Sequence, residues 1–388
     1  KKDISVNVLR IMFPYLALIS LVSFAAGIQN THNKFSIPAF TPIIFNLSLI
    51  IAAIFIAPMY EMPIYVLAWG VLLAGIFQLL LQLIPLRQIN RLPIPKLNIN
   101  NEGVNQFFKL ILPAVLAGGI IQINLLVDTI FASLLETGSP TWLYVSDRLI
   151  QFPMGIFAIA VGTILLPTLS KFDLSYEKDK FISSIQKGQR FVLFIGIPSL
   201  IGLFFCAEDL ISTIFYRGAF TESDVINSSY SLMAFSIGLP FFMLMKVLTP
   251  AFFARKDTKT PMYVAFASLI LNALLNYYLA FVLDYGHVGI AIGSSIAAII
   301  SVCVLEILLH RNGFIEFKSI FNKFNLNILV SNLFLIIFLY FYTSQIDFMK
   351  LNQIERFFNL LFEVTASVII YFSISRLILK KPLRLLFD

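Results

Sequence analysis

Long apolar runs separated by brief polar stretches dominate the chain and dictate its secondary structure. A helix needs roughly 20 consecutive apolar residues to cross the hydrocarbon core of a bilayer. Eleven runs approach or exceed that length, over residues 8–28, 40–58, 63–84, 107–135, 141–168, 190–207, 229–253, 261–283, 287–309, 326–343 and 358–379. Most connections between them are short polar turns, such as Glu136-Thr137-Gly138-Ser139-Pro140 and Asp284-Tyr285-Gly286-His287, so sequential spans are expected to pair as antiparallel hairpins. No low-complexity tract, soluble domain or strong repeat interrupts the series. The pattern predicts an all-α polytopic membrane protein of about eleven transmembrane helices.

Composition agrees with that pattern. Hydrophobic residues make up 59% of the 388, charged residues only 13%, and no soluble fold requires so much apolar surface. The 18 glycines and 17 prolines suit spans whose neighbours re-satisfy freed backbone groups. Cys206 and Cys303 both lie in apolar runs, too few for a disulfide framework or a metal cluster, and are read as packing residues. The first run is a full-length span without a small-residue cleavage site, which argues against a signal peptide. Because the chain opens on Lys1 rather than Met, it is expected to start inside a longer protein.

Charge adds orientation. Of the 28 Lys and Arg, 20 fall in one alternating set of loops, including Arg87, Arg91, Lys171, Lys178, Lys180, Arg255, Lys256, Lys259 and Arg311. Six fall in the opposite set: Lys1, Lys2, Arg10, Arg217, Lys350 and Arg356. Loops rich in Lys and Arg stay cytoplasmic, which predicts a cytoplasmic C-terminus and an external N-terminus. The net charge of +7 is thus distributed as topology demands, and a nucleic-acid partner is not expected. The stretches Gly313–Phe324 and Arg376 onward mix apolar and basic residues. Each reads either as an interfacial segment lying on the headgroups or as an ordinary basic loop.

Candidate chemistry lies at polar groups inside the spans, where each is costly unless paired or facing water. Asp147-Arg148 precedes Pro153 and Gly155 on one helix, and Pro153 removes a helix hydrogen bond and is expected to kink the span as a hinge. Arg148 reads either as an anion-binding fork for phosphate or as a side chain snorkelling outward. Asp128, with Gln122 and Asn124 on its helix, is as far before Gly138 as Arg148 is after it; an Asp128–Arg148 ion pair is one reading. Asn272 and Asn276 share a helix face, with Ser294 and Ser295 on the next helix. With Asp128 these oxygens suit a monovalent cation such as sodium, and hydrogen-bonded glue between spans explains them as well. Lys246 can reach the cytoplasmic interface by its stem. Glu61, Glu208, Asp209, Glu222 and Asp224 are read as external loop acids. No Ser-His-Asp, P-loop, zinc or dinucleotide signature is present.

Several segments in the same order carry a resemblance to a family: Arg10-Ile11-Met12-Phe13-Pro14-Tyr15; Gly27-Ile28-Gln29-Asn30 leading to Phe35-Ser36-Ile37-Pro38; Gln122 to Ser133; Asp147-Arg148-Leu149 with Phe152-Pro153; Gly162-Thr163-Ile164-Leu165-Leu166-Pro167; and Lys259-Thr260-Pro261. The chain resembles the MurJ (MviN) lipid II flippases of the multidrug/oligosaccharidyl-lipid/polysaccharide exporter superfamily. The resemblance implies a fourteen-helix, two-lobed fold around a V-shaped cationic cavity, with this chain matching the last eleven helices. Residues 1–100 would then close the N-terminal lobe, 101–310 form the six-helix C-terminal lobe, and 311–388 form two extra helices with a lipid-facing groove. Arg148 matches the family's cavity arginine on its eighth helix, and Asp128, Asn272 and Asn276 match positions proposed in some members to hold a cation. Asn276 is neutral where some members carry an acid.

The implied activity is translocation of lipid II, the undecaprenyl-diphosphate-linked peptidoglycan precursor, from the inner to the outer leaflet of the bacterial inner membrane. It would need no covalent chemistry and no cofactor beyond a monovalent cation or the membrane potential, which supplies about 2.3 kcal/mol per charge per 100 mV. Partners would be lipid II and membrane lipids, with the protein acting as a monomer. Rival readings are a drug/cation antiporter or another polyprenyl-linked oligosaccharide exporter of the superfamily, and a membrane enzyme acting on lipid-linked sugars. An antiporter would want an acidic or aromatic cavity, and an enzyme a catalytic acid or metal-binding motif near a membrane face.

Overall fold

A computed structural model describes residues 2–32, 34, 36–89, 119–120, 122–315 and 323–379. The described residues are helical apart from short turns, and ten helices are long and apolar enough to cross a membrane. These ten match ten of the eleven expected runs. The eleventh, 107–135, is described only in its second half, where residues 122–133 form a helix. The chain divides into two compact units, Lys1–Asn105 and Gln106–Asp388.

In the first unit, α1 (Lys2–Met12), α2 (Tyr15–Thr31) and α3 (Ser36–Ile51) pack on α4 (Pro63–Gln88). Small residues let the backbones approach, as expected where lipid offers no hydrophobic drive between helices. A Cβ at Gly75 would meet the Tyr15 ring at 2.7 Å. A buried amide network ties the three long helices: Gln29 bonds Gln82, Gln82 Nε2 donates to Thr41 Oγ1 at 2.6 Å, and Gln78 Nε2 donates to the Thr41 carbonyl at 3.1 Å.

The second unit holds α5 (122–133), α6 (Ser139–Pro153), α7 (Ile159–Leu169), α8 (Lys178–Phe205), α9 (Ala207–Phe215), α10 (Glu222–Ala254), α11 (Lys259–Tyr277), α12 (Gly286–Arg311), α13 (Lys323–Thr343) and α14 (Gln353–Leu379). Its axis is α10, a helix of 33 residues, about 50 Å at 1.5 Å per residue. Its start is set by a capping box of Thr221 and Asp224, and Asp224 also accepts from the Trp142 indole at 2.7 Å. Serines satisfy backbone carbonyls across helices: Ser146 Oγ donates to Ser228 O at 2.7 Å and Ser295 Oγ to Ala234 O at 2.8 Å. The apolar core, including Ile185, Leu232, Leu239, Met243 and Leu305, surrounds α10. The α13–α14 pair docks on α8 and α9, with Tyr371 donating to the Phe194 carbonyl at 2.7 Å.

Two sequence readings change here. Asp209 and Asp224 are not loop acids: Asp209 lies buried in α9 and Asp224 caps α10. A run of few apolar residues between two spans gave no hint that α9 folds back against α14. Cys206 is buried, as read, whereas Cys303 is exposed on the α12 surface. Of the stretch from Gly313, residues 313–315 are described. Gly313 adopts φ +69°, and the Phe314 ring lies under the Arg255 guanidinium at 3.9 Å. Residues 316–322 and 380–388 lie outside the described residues.

Candidate functional site: a polar cluster between α5, α6, α11 and α12

The turn at 134–138 sends the chain from α5 back into α6. Gly138 makes it possible by adopting φ +116°, a conformation that side chains disfavour. A cavity of about 640 Å³ opens beside this hairpin, lined by Asn124, Asp128, Tyr144 and Asp147 and, from other helices, by Phe242 and Ser294.

Asp128 is held from two sides. Asn276 Nδ2 donates to its Oδ1 at 2.6 Å, and Asn124 Nδ2, one turn back on α5, reaches Oδ2 at 3.4 Å. Asn276 also donates to Asn272 Oδ1 at 2.9 Å, and Asn272 Nδ2 to Ser294 Oγ at 3.0 Å. The i,i+4 spacing of the two asparagines places both on the α11 face that meets α5 and α12. Gly293 makes room on α12, since a Cβ there would collide with Asn276 Oδ1. That oxygen is buried and has no hydrogen-bond partner among the described residues. Asp128, Asn272, Asn276 and Ser294 are therefore brought together, as hard oxygen donors with one carboxylate and an unsatisfied carbonyl. Such a set fits a monovalent cation such as sodium. No cluster of His, Cys, Asp and Glu suited to a transition metal occurs among the described residues.

Arg148 stands elsewhere. Its guanidinium lies over the Tyr144 ring at 4.6 Å, and Nη1 reaches Gln151 Oε1 at 3.5 Å. The side chain is exposed, and its other donors have no partner among the described residues. The ion pairs among the described residues are Lys180–Glu177 and Lys350–Asp347, so the Asp128–Arg148 pair does not form. Matching depth along two helices says nothing of rotation about their axes. One residue turns a helix by about 100°, and it is Asp147 that shares the cavity with Asp128 while Arg148 points aside. Asp147 is bonded by Gln151 Nε2 on its own helix.

Pro153 ends α6, and the π-helical turn Met154–Ala158 joins it to α7. Gly155 sits in that turn, with nothing within 4 Å of where its Cβ would be. Pro153, buried, and Gly155, with open space beside it, thus mark an irregular joint within one long span. Lys246 is exposed on α10, with its backbone carbonyl 3.0 Å from where a Gly162 Cβ would be.

Ten helices long and apolar enough to cross a membrane, with a polar cluster lining a cavity between helices of the second unit, define a multi-pass helical membrane protein. The chain belongs to the lipid II flippase MurJ family: the family model described as "Lipid II flippase MurJ" matches residues 1–362. It is 41% identical over 313 residues to a probable lipid II flippase MurJ of Vibrio cholerae, covering 81% of this chain and 59% of that protein. Against the probable lipid II flippase MurJ of Haemophilus influenzae it is 35% identical over 370 residues, 94% of this chain and 72% of the relative. A solved structure of lipid II flippase MurJ in an inward closed conformation superimposes with a TM-score of 0.76 at 28% identity, covering 97% of this chain and 74% of that one. The chain thus spans about three fifths to three quarters of the proteins it matches, and it is a multi-pass inner-membrane protein.

Proposed function

We propose that the protein to which this chain belongs is a lipid II flippase, moving undecaprenyl-diphosphate-linked peptidoglycan precursor from the inner to the outer leaflet by alternating access, without covalent chemistry. Family membership supports this reading, and the relatives described above carry that name. None of them supports the drug antiporter or the other exporters.

The observation that carries the substrate assignment is Arg148, a cation inside a span with unpartnered donors, braced by Tyr144 and next to a cavity-lining acid. A diphosphate cannot enter hydrocarbon unaided, and a guanidinium fork suits phosphate oxygens bidentately. Arg148 would bind the headgroup phosphates, with Asp147 beside it contacting the sugar or peptide part. The Pro153–Gly155 joint would serve as hinge, because a span lacking a helix hydrogen bond bends there at low cost. Asp128, Asn272, Asn276 and Ser294 would hold a sodium ion whose entry or release biases the cycle, together with the membrane potential.

The basic loops support an external N-terminus and a cytoplasmic C-terminus. The segment 311–388 would act as a lipid-facing two-helix appendage to a six-helix bundle over 101–310, and residues 1–100 as the end of another lobe. The protein would work as a monomer among membrane lipids. The test is complementation: in cells depleted of their own lipid II flippase, the full-length protein clears lipid II from the inner leaflet. Arg148→Ala inserts into the membrane and fails to clear it. Normal growth on Arg148→Ala overturns the assignment.

A further inference from the structure

At the end of the second unit where α9 meets α14, two carboxyls are buried together. Asp209 on α9 is 6% exposed and Glu363 on α14 is fully buried. Both Glu363 oxygens and Asp209 Oδ2 lack a hydrogen-bond donor among the described residues. The Cys206 thiol and the Asp209 carboxyl adjoin Glu363, the half-buried Glu208 adds like charge beside Asp209, and the nearby Tyr342 hydroxyl on α13 donates to Asn359. Among the described residues no cation forms an ion pair with it. Arg356, the nearest on α14, lies two turns or about 10 Å away along the helix. It is committed to the carbonyls of Phe348 at 2.8 Å and Met349 at 3.0 Å and to the Tyr216 ring at 4.6 Å. Lys350 is bound to Asp347 at 2.8 Å.

Two adjacent ionised carboxylates out of water, with unsatisfied oxygens and no counter-charge, cost several kcal/mol each, and such pairs resolve the conflict by holding a proton. We propose that Asp209 and Glu363 form a proton-binding site that shares one proton between the two carboxyls and so holds α14 against α9. Burial, with the Glu363 carboxylate next in effect, pushes the Asp209 carboxyl up to about 8. A polar cavity of about 430 Å³ lined by Glu208, Glu222, Asp347 and Lys350 opens beside α9, and Glu208 precedes Asp209 directly. The site lies apart from the Asp128 cluster and does not rest on lipid II as substrate.

The pair titrates as a unit, so the measurement reads it as one. The 388-residue chain in lipid nanodiscs is followed by infrared spectroscopy across pH. A protonated-carboxyl C=O band is expected at pH about 6 and its loss by pH about 9. Glu363→Gln leaves the buried Asp209 carboxyl alone and moves the midpoint of that band to lower pH. Asp209→Asn moves its midpoint to lower pH by about one unit or more, a factor of ten in proton affinity, because the neighbouring negative charge is gone. In parallel, dicyclohexylcarbodiimide, which attacks protonated carboxyls in apolar surroundings, labels Glu363 or Asp209 at the lower pH and not at the higher. If the wild-type chain shows no labelling of either residue at the lower pH, the pair is ionised and the proposal fails. Labelling that sodium or potassium chloride abolishes at constant pH also overturns it, since the pair then holds a metal cation. The wild-type titration stands even where a variant fails to fold.

Discussion

Asn276 Nδ2 donates to Asp128 Oδ1 at 2.6 Å, joining two residues 148 positions apart in sequence. This charge-assisted bond, a type that contributes about 1.5–3 kcal/mol, draws the carboxylate away from the arginine at matching depth and onto the amide N–H donors of Asn276 and Asn124. The cation assignment stands on that relationship.

Sodium is therefore expected to stabilise the protein against heat, by about 2.7 kcal/mol when its concentration is a hundredfold above its dissociation constant. Asp128→Asn should abolish the effect while leaving the melting curve in choline chloride near that of the parent. An equal stabilisation by choline in the parent protein would show ionic strength at work instead of a site.

Gly293→Ala should reach the same cluster from behind. The added Cβ meets Asn276 Oδ1 and lies 3.3 Å from Leu275 Cβ, so α12 must shift or Asn276 must turn. Overpacking of this kind costs about 1–3 kcal/mol. Thermal unfolding should report that loss, and the response to sodium should weaken with it. Gly202→Ala, at a position with open space around the Cβ, serves as the control.

Pro153→Ala restores the missing backbone donor at the joint between α6 and α7. A proline in a helix interior costs about 3 kcal/mol relative to alanine where the helix is regular, and the π-helical turn that follows recovers part of this. The variant should therefore melt higher and transport more slowly. A faster variant would remove the hinge role.

Asp209 sets a pH dependence of stability. Its carboxyl is raised from 3.8 to about 8 in the folded protein by burial and then by Glu363. Between those values the folded state binds more protons than the unfolded state, so stability falls as pH rises through that window. Unfolding midpoints in detergent should decline from about pH 5 to about pH 8, and Asp209→Asn should flatten the slope. A midpoint that rises over the same range contradicts the assignment.

The membrane spans were legible in the chain because hydrocarbon thickness imposes a run length that few other demands mimic. Ten of them are helices at the expected places. The residues of the polar cluster were legible too, since Asp128, Asn272, Asn276 and Ser294 are costly inside a bilayer and must have a purpose or a partner. Their partners were not. Asp128 was matched in depth to Arg148, and the fold instead turns Arg148 onto Tyr144 and gives Asp128 to Asn276. Glu363 drew no notice in an apolar run, and Asp209 passed for a loop acid, because nothing local shows that α9 folds against α14.

The sequence by itself determined where the chain carries runs long enough to cross a bilayer, which loops carry the positive charge, and which polar groups lie within the runs. All three follow from the transfer energies of single residues, which are additive along the chain. Only the tertiary structure decided which of those groups meet. Contact depends on the rotation of each helix about its axis and on where residues such as Gly293 let two backbones close. Those choices belong to the packed bundle as a whole and leave no mark at any one position.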